Sequence, residues 1–200
     1  MQPALFSTSY LPNLNYLSAL LNADVVMLEA HEHFVRQSYR NRAEILTSNG
    51  KLALTIPLVK QSEKELIPYK RISYAENWQH QHWRTITSSY KSSPYFEFFE
   101  DDLRPFYETK YELLFDYNLG LLKAILHILR VKKEIVFTEQ FNLLPANCID
   151  FRSLSTVHAD VHNSVKPYYQ VFAGKSGFTP NLSCLDALFN VGLETLDLCK

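Results

Sequence analysis

Residues 4–30 read ALFSTSYLPNLNYLSALLNADVVMLEA, and the period of the apolar positions changes twice within them. "ALFSTSY" is a short β-type run closed by Leu11-Pro12-Asn13. Leu14, Leu17, Leu20 and Leu21 then recur at helical spacing, with Asn13 placed to cap the helix. "ADVVML" follows as an apolar run with β-branched residues, the kind that is buried in a parallel sheet. Strand, helix, strand is a βαβ unit, whose crossover should be right-handed. Ligands of such units sit past the carboxyl ends of the strands, which here means "SYLPN" and "AHEHF".

Outward from this unit, "AEILTSNGKLALTIPL" holds two β-prone runs around Ser48-Asn49-Gly50-Lys51. Asn-Gly supplies the two positive-φ positions of a type I′ turn, so the segment is predicted to be a hairpin. The fold class expected is α/β: a mixed sheet containing the N-terminal βαβ unit and the β-hairpin, with helices on both faces. "VKQSEKELIPYKR" reads as an exposed loop and "RISYA" as a brief strand. Trp78, His82, Ile86 and Tyr90 predict a helix capped at Asn77 and ending near Ser93-Pro94. The stretch from Tyr95 to Lys133 gives two helices or one bent at Pro105. "EIVFTEQF" and "YYQVF" read as strands. The segment from Asn181 to Cys199 is a helix capped by Asn181 or Ser183 and interrupted near Gly192.

A chain of 200 residues, 46% hydrophobic and 20% charged, carries enough apolar side chains for one globular domain spanning 1–200. It has 5 glycines, and neither a P-loop nor a G-x-G-x-x-G fingerprint occurs. No motif names a cofactor. A formal charge of −1 without a basic run speaks against a nucleic-acid partner. Cys148, Cys184 and Cys199 are odd in number and far apart, as expected of reduced, buried thiols. The first residues lack a basic n-region, and no apolar run reaches the ~18 residues of a membrane span. A cytoplasmic protein without membrane insertion is expected.

The sites follow from backbone period. On a helix, residues two apart lie roughly 200° apart around the axis, so His80 and His82 cannot chelate one metal. His82 shares the Trp78 face and is the candidate proton carrier there, although a buried structural histidine is the plainer reading. Past the second strand, Glu29, His31 and His33 alternate and could share one face, a carboxylate and two imidazoles suited to zinc or iron. His31 is equally suited to acid-base work. Arg36, Arg40 and Arg42, with Asn41, stand where a βαβ unit places ligands, and their guanidiniums suit a phosphate or carboxylate. Ion pairs with Glu29, Glu32 and Glu44 are the alternative. The start of the first helix, after Pro12, offers backbone N–H groups to the same anion. Glu97, Glu100, Asp101, Asp102 and Glu108 read as helix-start residues facing water.

Taken together, "STSYLPNLNYLSALLNADVVML", "YRNRAEI" with its hairpin and "LTIPL", "NWQHQHWRTITSSYKSSPYFEFFEDDLRPFY" and "GFTPNLSCLDALFNVG" resemble the WbqC-like family of bacterial proteins, in the branch common in Bacteroidetes. Positions matching its pattern include Tyr10, Leu11, Pro12, Asn41, Arg42, Trp78, His82, Tyr90, Asp186 and Asn190. Where other members carry acidic residues, typically DD-x-Q-F, this chain has Ala30-His31-Glu32-His33-Phe34. The family is named for a product of an O-antigen gene cluster. The resemblance therefore implies a transferase acting on a nucleotide-linked or phosphorylated sugar in surface polysaccharide synthesis. In that reading Arg36, Arg40, Arg42, Asn41 and Tyr10 hold the anion and His31 or His82 moves a proton. A non-enzymatic binding or assembly protein with structural histidines is the second reading.

Overall fold

A computed structural model describes residues 3–60, 65–157 and 165–200. The opening stretch folds as its period predicts. β1 (Ala4–Phe6) leads through α1 (Leu14–Asn22) to β2 (Val25–Leu28), and the two strands pair in parallel with Phe6 opposite Leu28. Asn13 caps α1, its side chain accepting from Tyr16 N–H.

Two further parallel strands flank the pair. β5 (Glu134–Phe137) lies beside β2, and the two-residue β6 (Ile149–Asp150) lies beside β1, in the order β5-β2-β1-β6. Phe6, Val26 and Leu28 enter one hydrophobic cluster with the helices, and the Phe6 ring meets Tyr16 and Phe151 at 5.1 and 5.3 Å. Burial of a side chain of this size contributes about 2–3 kcal/mol. Leu5, on the opposite face, is buried but outside that cluster. With Pro3 and Met27 it lines a cavity against residues of the segment 137–148.

The hairpin of β3 (Arg42–Thr47) and β4 (Gly50–Thr55) forms, as a two-stranded sheet of its own. Parallel and antiparallel pairing thus both occur, but in separate sheets. Its turn differs from type I′. The loop is Ser48-Asn49, closed by the Thr47–Gly50 pair, and Gly50 takes the positive φ (99°) while Asn49 does not. Thr47 explains this, since its hydroxyl accepts from Asn49 N–H (3.1 Å) and donates to the Gly50 carbonyl (2.9 Å). Asn49 is spared a left-handed conformation, and the glycine takes it instead.

The remaining helices are α2 (Trp78–Tyr90), α3 (Phe96–Leu103), α4 (Pro105–Glu108), α5 (Leu114–Ile128), α6 (Ala173–Ser176), α7 (Cys184–Val191) and α8 (Thr195–Leu198). Pro105 begins a new helix, so the chain breaks there instead of bending. Asn77 precedes α2 without a side-chain cap bond. Ser183 is the cap of α7, accepting from Leu185 N–H. The exposed loop expected at 59–71 includes residues 61–64, which lie outside the described residues; within the rest, Ile67 is fully buried and Lys70 pairs with Glu65 at 3.0 Å. "RISYA" contributes single bridges, Arg71 to Leu113 and Ile72 to Leu58.

"YYQVF" is not a strand. Its polar side chains bind inward instead. Tyr168 O–H and the Gln170 amide donate to Asp186 Oδ2 at 2.6 and 2.8 Å, and Asp186 Oδ1 accepts from Tyr90 O–H at 2.9 Å. A buried carboxylate with three donors replaces the ladder that a strand would have needed.

Gly192 ends α7 with φ 61°, and a Cβ there would stand 2.8 Å from the Tyr95 ring. We expect Gly192→Ala to cost about 1–3 kcal/mol, from this conformation and the crowding. Urea denaturation monitored by far-UV circular dichroism measures it, and a loss below a few tenths would show that the turn accepts a side chain.

Candidate functional site

Each strand of the parallel sheet is followed at its carboxyl end by a polar side chain: Ser7 after β1, Glu29 after β2, Thr138 after β5 and, around β6, Asp150 and Arg152. Glu29 is buried, Arg152 partly so and Asp150 exposed, and the three charges are bonded to one another. Glu29 is fully buried; its Oε1 accepts from Thr138 O–H (2.6 Å) and His31 N–H (2.8 Å), and its Oε2 faces Arg152 Nη1 at 3.3 Å. Arg152 also grips Asp150 with Nε and Nη2, at 3.0 and 2.7 Å, while its backbone N–H reaches the same carboxylate at 3.0 Å. Burial on its own would raise the Asp150 carboxyl; the hydrogen bonds from Arg152 outweigh it, and the net shift is downward.

Behind this lies a second pair. Arg40 and Glu32 are 3% and 6% exposed and meet side-on, Nε to Oε1 at 2.8 Å and Nη2 to Oε2 at 2.6 Å. Ser7 Oγ accepts from Arg40 Nη2 (2.7 Å) and donates to Glu32 (2.9 Å), which ties the end of β1 to the pair. Arg152 feels the charge of Glu32 as well as that of Glu29. The buried Arg40 Nη1 has no hydrogen-bond partner among the described residues. Beside Glu29, on the Leu5 face of the sheet, a cavity of about 450 Å³ is lined by Leu5, Met27, Thr138, Asn147 and Cys148. Burial and the Asp150 charge push the Cys148 thiol up, so it is not an activated nucleophile.

Several residues singled out in the sequence stand elsewhere. The chain leaves extended conformation after Leu28, so Glu29, His31 and His33 do not share a face: Glu29 is buried and His33 exposed. Among the described residues no group of three or more His, Cys, Asp or Glu is placed to hold a metal. The three arginines do not form one grip. Arg36 is exposed, Arg40 turns inward to Glu32, and Arg42 leaves along the hairpin to Glu44 at 3.2 Å. Gln37, at φ 53°, turns the chain between the first two. The Asn41 amide donates to the Ile56 carbonyl.

The amides at the start of α1 are also taken. Leu14 N–H donates to the Leu182 carbonyl, Asn15 N–H to Asn181 Oδ1 and Tyr16 N–H to Asn13 Oδ1. Tyr10 is fully buried, its hydroxyl against His82 Nδ1 (3.0 Å) and the Tyr107 hydroxyl (3.1 Å), so it does not face an external anion. The helical phase of the two histidines holds: His80 is exposed and His82 buried. His82 sits edge-on to Trp78 at 5.1 Å and donates to the Thr55 carbonyl, and burial lowers its pKa to about 4. It belongs to the aromatic core between α2 and the hairpin. Glu32 entered the sequence reading as an ion-pair partner of the arginines, and its pair with Arg40 forms; Ser7, Thr138 and Arg152 were not singled out by sequence, and the polar residues right after each apolar run were the available signal.

A model described as the WbqC-like protein family matches residues 8–154. The chain belongs to that family. It is also 23% identical, over 226 residues covering 98% of this chain and 96% of the relative, to the uncharacterized protein Rv1507c of Mycobacterium tuberculosis (strain ATCC 25618 / H37Rv). No solved structure matches. Within this WbqC-like chain the matched span takes in Glu29, Glu32, Arg40, Thr138 and Arg152, and so most of the bonded charges at the sheet edge. No helix among the described residues is long and apolar enough to cross a membrane.

Proposed function

We propose that the carboxyl edge of the parallel sheet is the active site of a transferase acting on a nucleotide-linked or phosphorylated sugar. The observation that carries this is Arg40 Nη1, a guanidinium N–H buried without a partner among the described residues. A buried charged donor left unbonded is costly, and an anionic oxygen would satisfy it. Arg152, shared between Asp150 and Glu29, is the second cation for the phosphate. Glu29 supplies a carboxylate already fixed by Thr138, and His31, joined to it through its backbone, moves the proton. The position at the strand ends agrees with where α/β sheets bind ligands. The family's association with O-antigen synthesis supplies the substrate class.

A thermal-shift screen of nucleoside diphosphate sugars and hexose phosphates tests the reading. A ligand at a hundred times its Kd stabilises by about 2.7 kcal/mol, or roughly 5–10 °C for a chain of this size. One class should give such a shift, and Arg152→Ala should abolish it. A flat response across the panel would sink the transferase in favour of the second reading, a binding or assembly protein. That reading has its own support: Phe141, Leu143 and Leu144, in the segment that crosses the sheet edge, are 46%, 76% and 89% exposed.

A further inference from the structure

Helix α2 presents a second cavity, of about 620 Å³, away from the sheet edge. Arg84, Thr87, Ser88 and Lys91 line it at the i, i+3, i+4, i+7 spacing of one helix face, and Arg104, at the junction of α3 and α4, closes it. The chain's formal charge is −1, yet three cations meet here. The carboxylate paired with them is Glu100, 3.4 Å from Arg104. Among the described residues Arg84 and Lys91 have no ion-pair partner. Trp83 forms the apolar wall, fixed from behind by Tyr107 at 5.3 Å and Phe96 at 6.1 Å.

Thr85 takes the usual helical solution and donates to the Gln81 carbonyl at 2.8 Å. Thr87 lines the groove as a residue, but its Oγ1 is buried beneath the surface and bonded to nothing among the described residues. We propose that this groove binds a small phosphate ester. The phosphate lies between Arg84, Lys91 and Arg104, while the organic part rests against Trp83, whose ring Arg104 also overlies at 6.0 Å. Three convergent cations suit a dianion with several acceptor oxygens better than a single carboxylate.

Isothermal titration calorimetry of the whole chain tests this at about 0.15 M ionic strength, where unspecific attraction to exposed charges is largely screened. The probes are inorganic phosphate, a hexose 1-phosphate and uridine diphosphate. In the Arg152→Ala chain, whose sheet-edge site no longer takes these esters, saturable one-to-one binding is expected, weakened at least about tenfold by adding the Arg84→Ala/Lys91→Ala pair, which removes two charge-assisted hydrogen bonds. The melting midpoint should not move, because both side chains are exposed. Arg152→Ala should leave this binding intact, so the outcome is separate from that of the transferase reading. Equal affinity for the three probes assigns the groove to free phosphate; tighter binding of uridine diphosphate or the hexose ester assigns it to that source. The proposal is overturned by an absence of saturable binding at millimolar concentration, by an affinity that the double variant leaves unchanged, or by an RNA oligonucleotide binding far more tightly through the same residues.

Discussion

Glu32→Ala should lower the stability of the chain by about 3–5 kcal/mol, or roughly 10–15 °C in Tm, because it strands the guanidinium of Arg40 in the interior. Arg40 is 3% exposed, and Glu32 takes both its Nε and its Nη2. Without the carboxylate, Ser7 Oγ is the remaining side-chain acceptor at 2.7 Å, and one hydroxyl does not offset a buried charge. Replacing both partners, as Glu32→Leu/Arg40→Met, should recover much of the loss, since a buried pair is often matched by apolar side chains of similar volume. The double variant separates stability from function: it should be folded and should no longer respond to the ligand held by Arg40. Chemical denaturation and thermal shift on the two variants give both answers. A loss below about 1 kcal/mol for Glu32→Ala, the value of an exposed ion pair, would mean that water reaches the pair.

The same residues explain what the sequence could and could not disclose. The unit β1, α1, β2 was legible because each element is set by its own periodic side chains, and Asn13 marks the helix start by a local bond. β6 was not, because two residues carry no period; Ile149 and Asp150 become a strand by pairing with Ala4 and Leu5 far away in sequence. Since Arg152 owes its place to β6, the sheet-edge charges could not be assembled in advance. Arg36, Arg40 and Arg42 show the converse. They are neighbours in sequence, but a turn at Gln37 and the start of β3 send them to three surroundings. Arg84, Lys91 and Arg104 form no basic run, and a helix face and a helix junction bring them together.

Lowering the pH from about 6.5 to about 4 should destabilise the chain through His82 by about 3 kcal/mol, the equivalent of its fall from the ordinary 6.5 to about 4. Burial is the cause: the ring lies under Trp78, and the bond to the Thr55 carbonyl opposes the shift without cancelling it. With that N–H donated, Nδ1 is the acceptor for Tyr10 O–H, and the neutral ring joins the hairpin to the helices. The unfolded chain takes up a proton on His82 as the pH falls through 6.5, and the folded chain resists until about 4, so stability is lost across that window and no further below it. Asp186 acts with the opposite sign. Burial raises its carboxyl above 3.8, so the folded state binds that proton first and gains stability as the pH falls through the raised value. The two effects separate by difference. His82→Gln keeps a donor for Thr55 and an acceptor for Tyr10 but cannot titrate, so its unfolding free energy should fall less steeply than that of the natural chain between pH 6.5 and 4. Identical slopes in urea titrations over this range would mean that His82 is protonated in the folded state, and its place in the aromatic core would have to be abandoned.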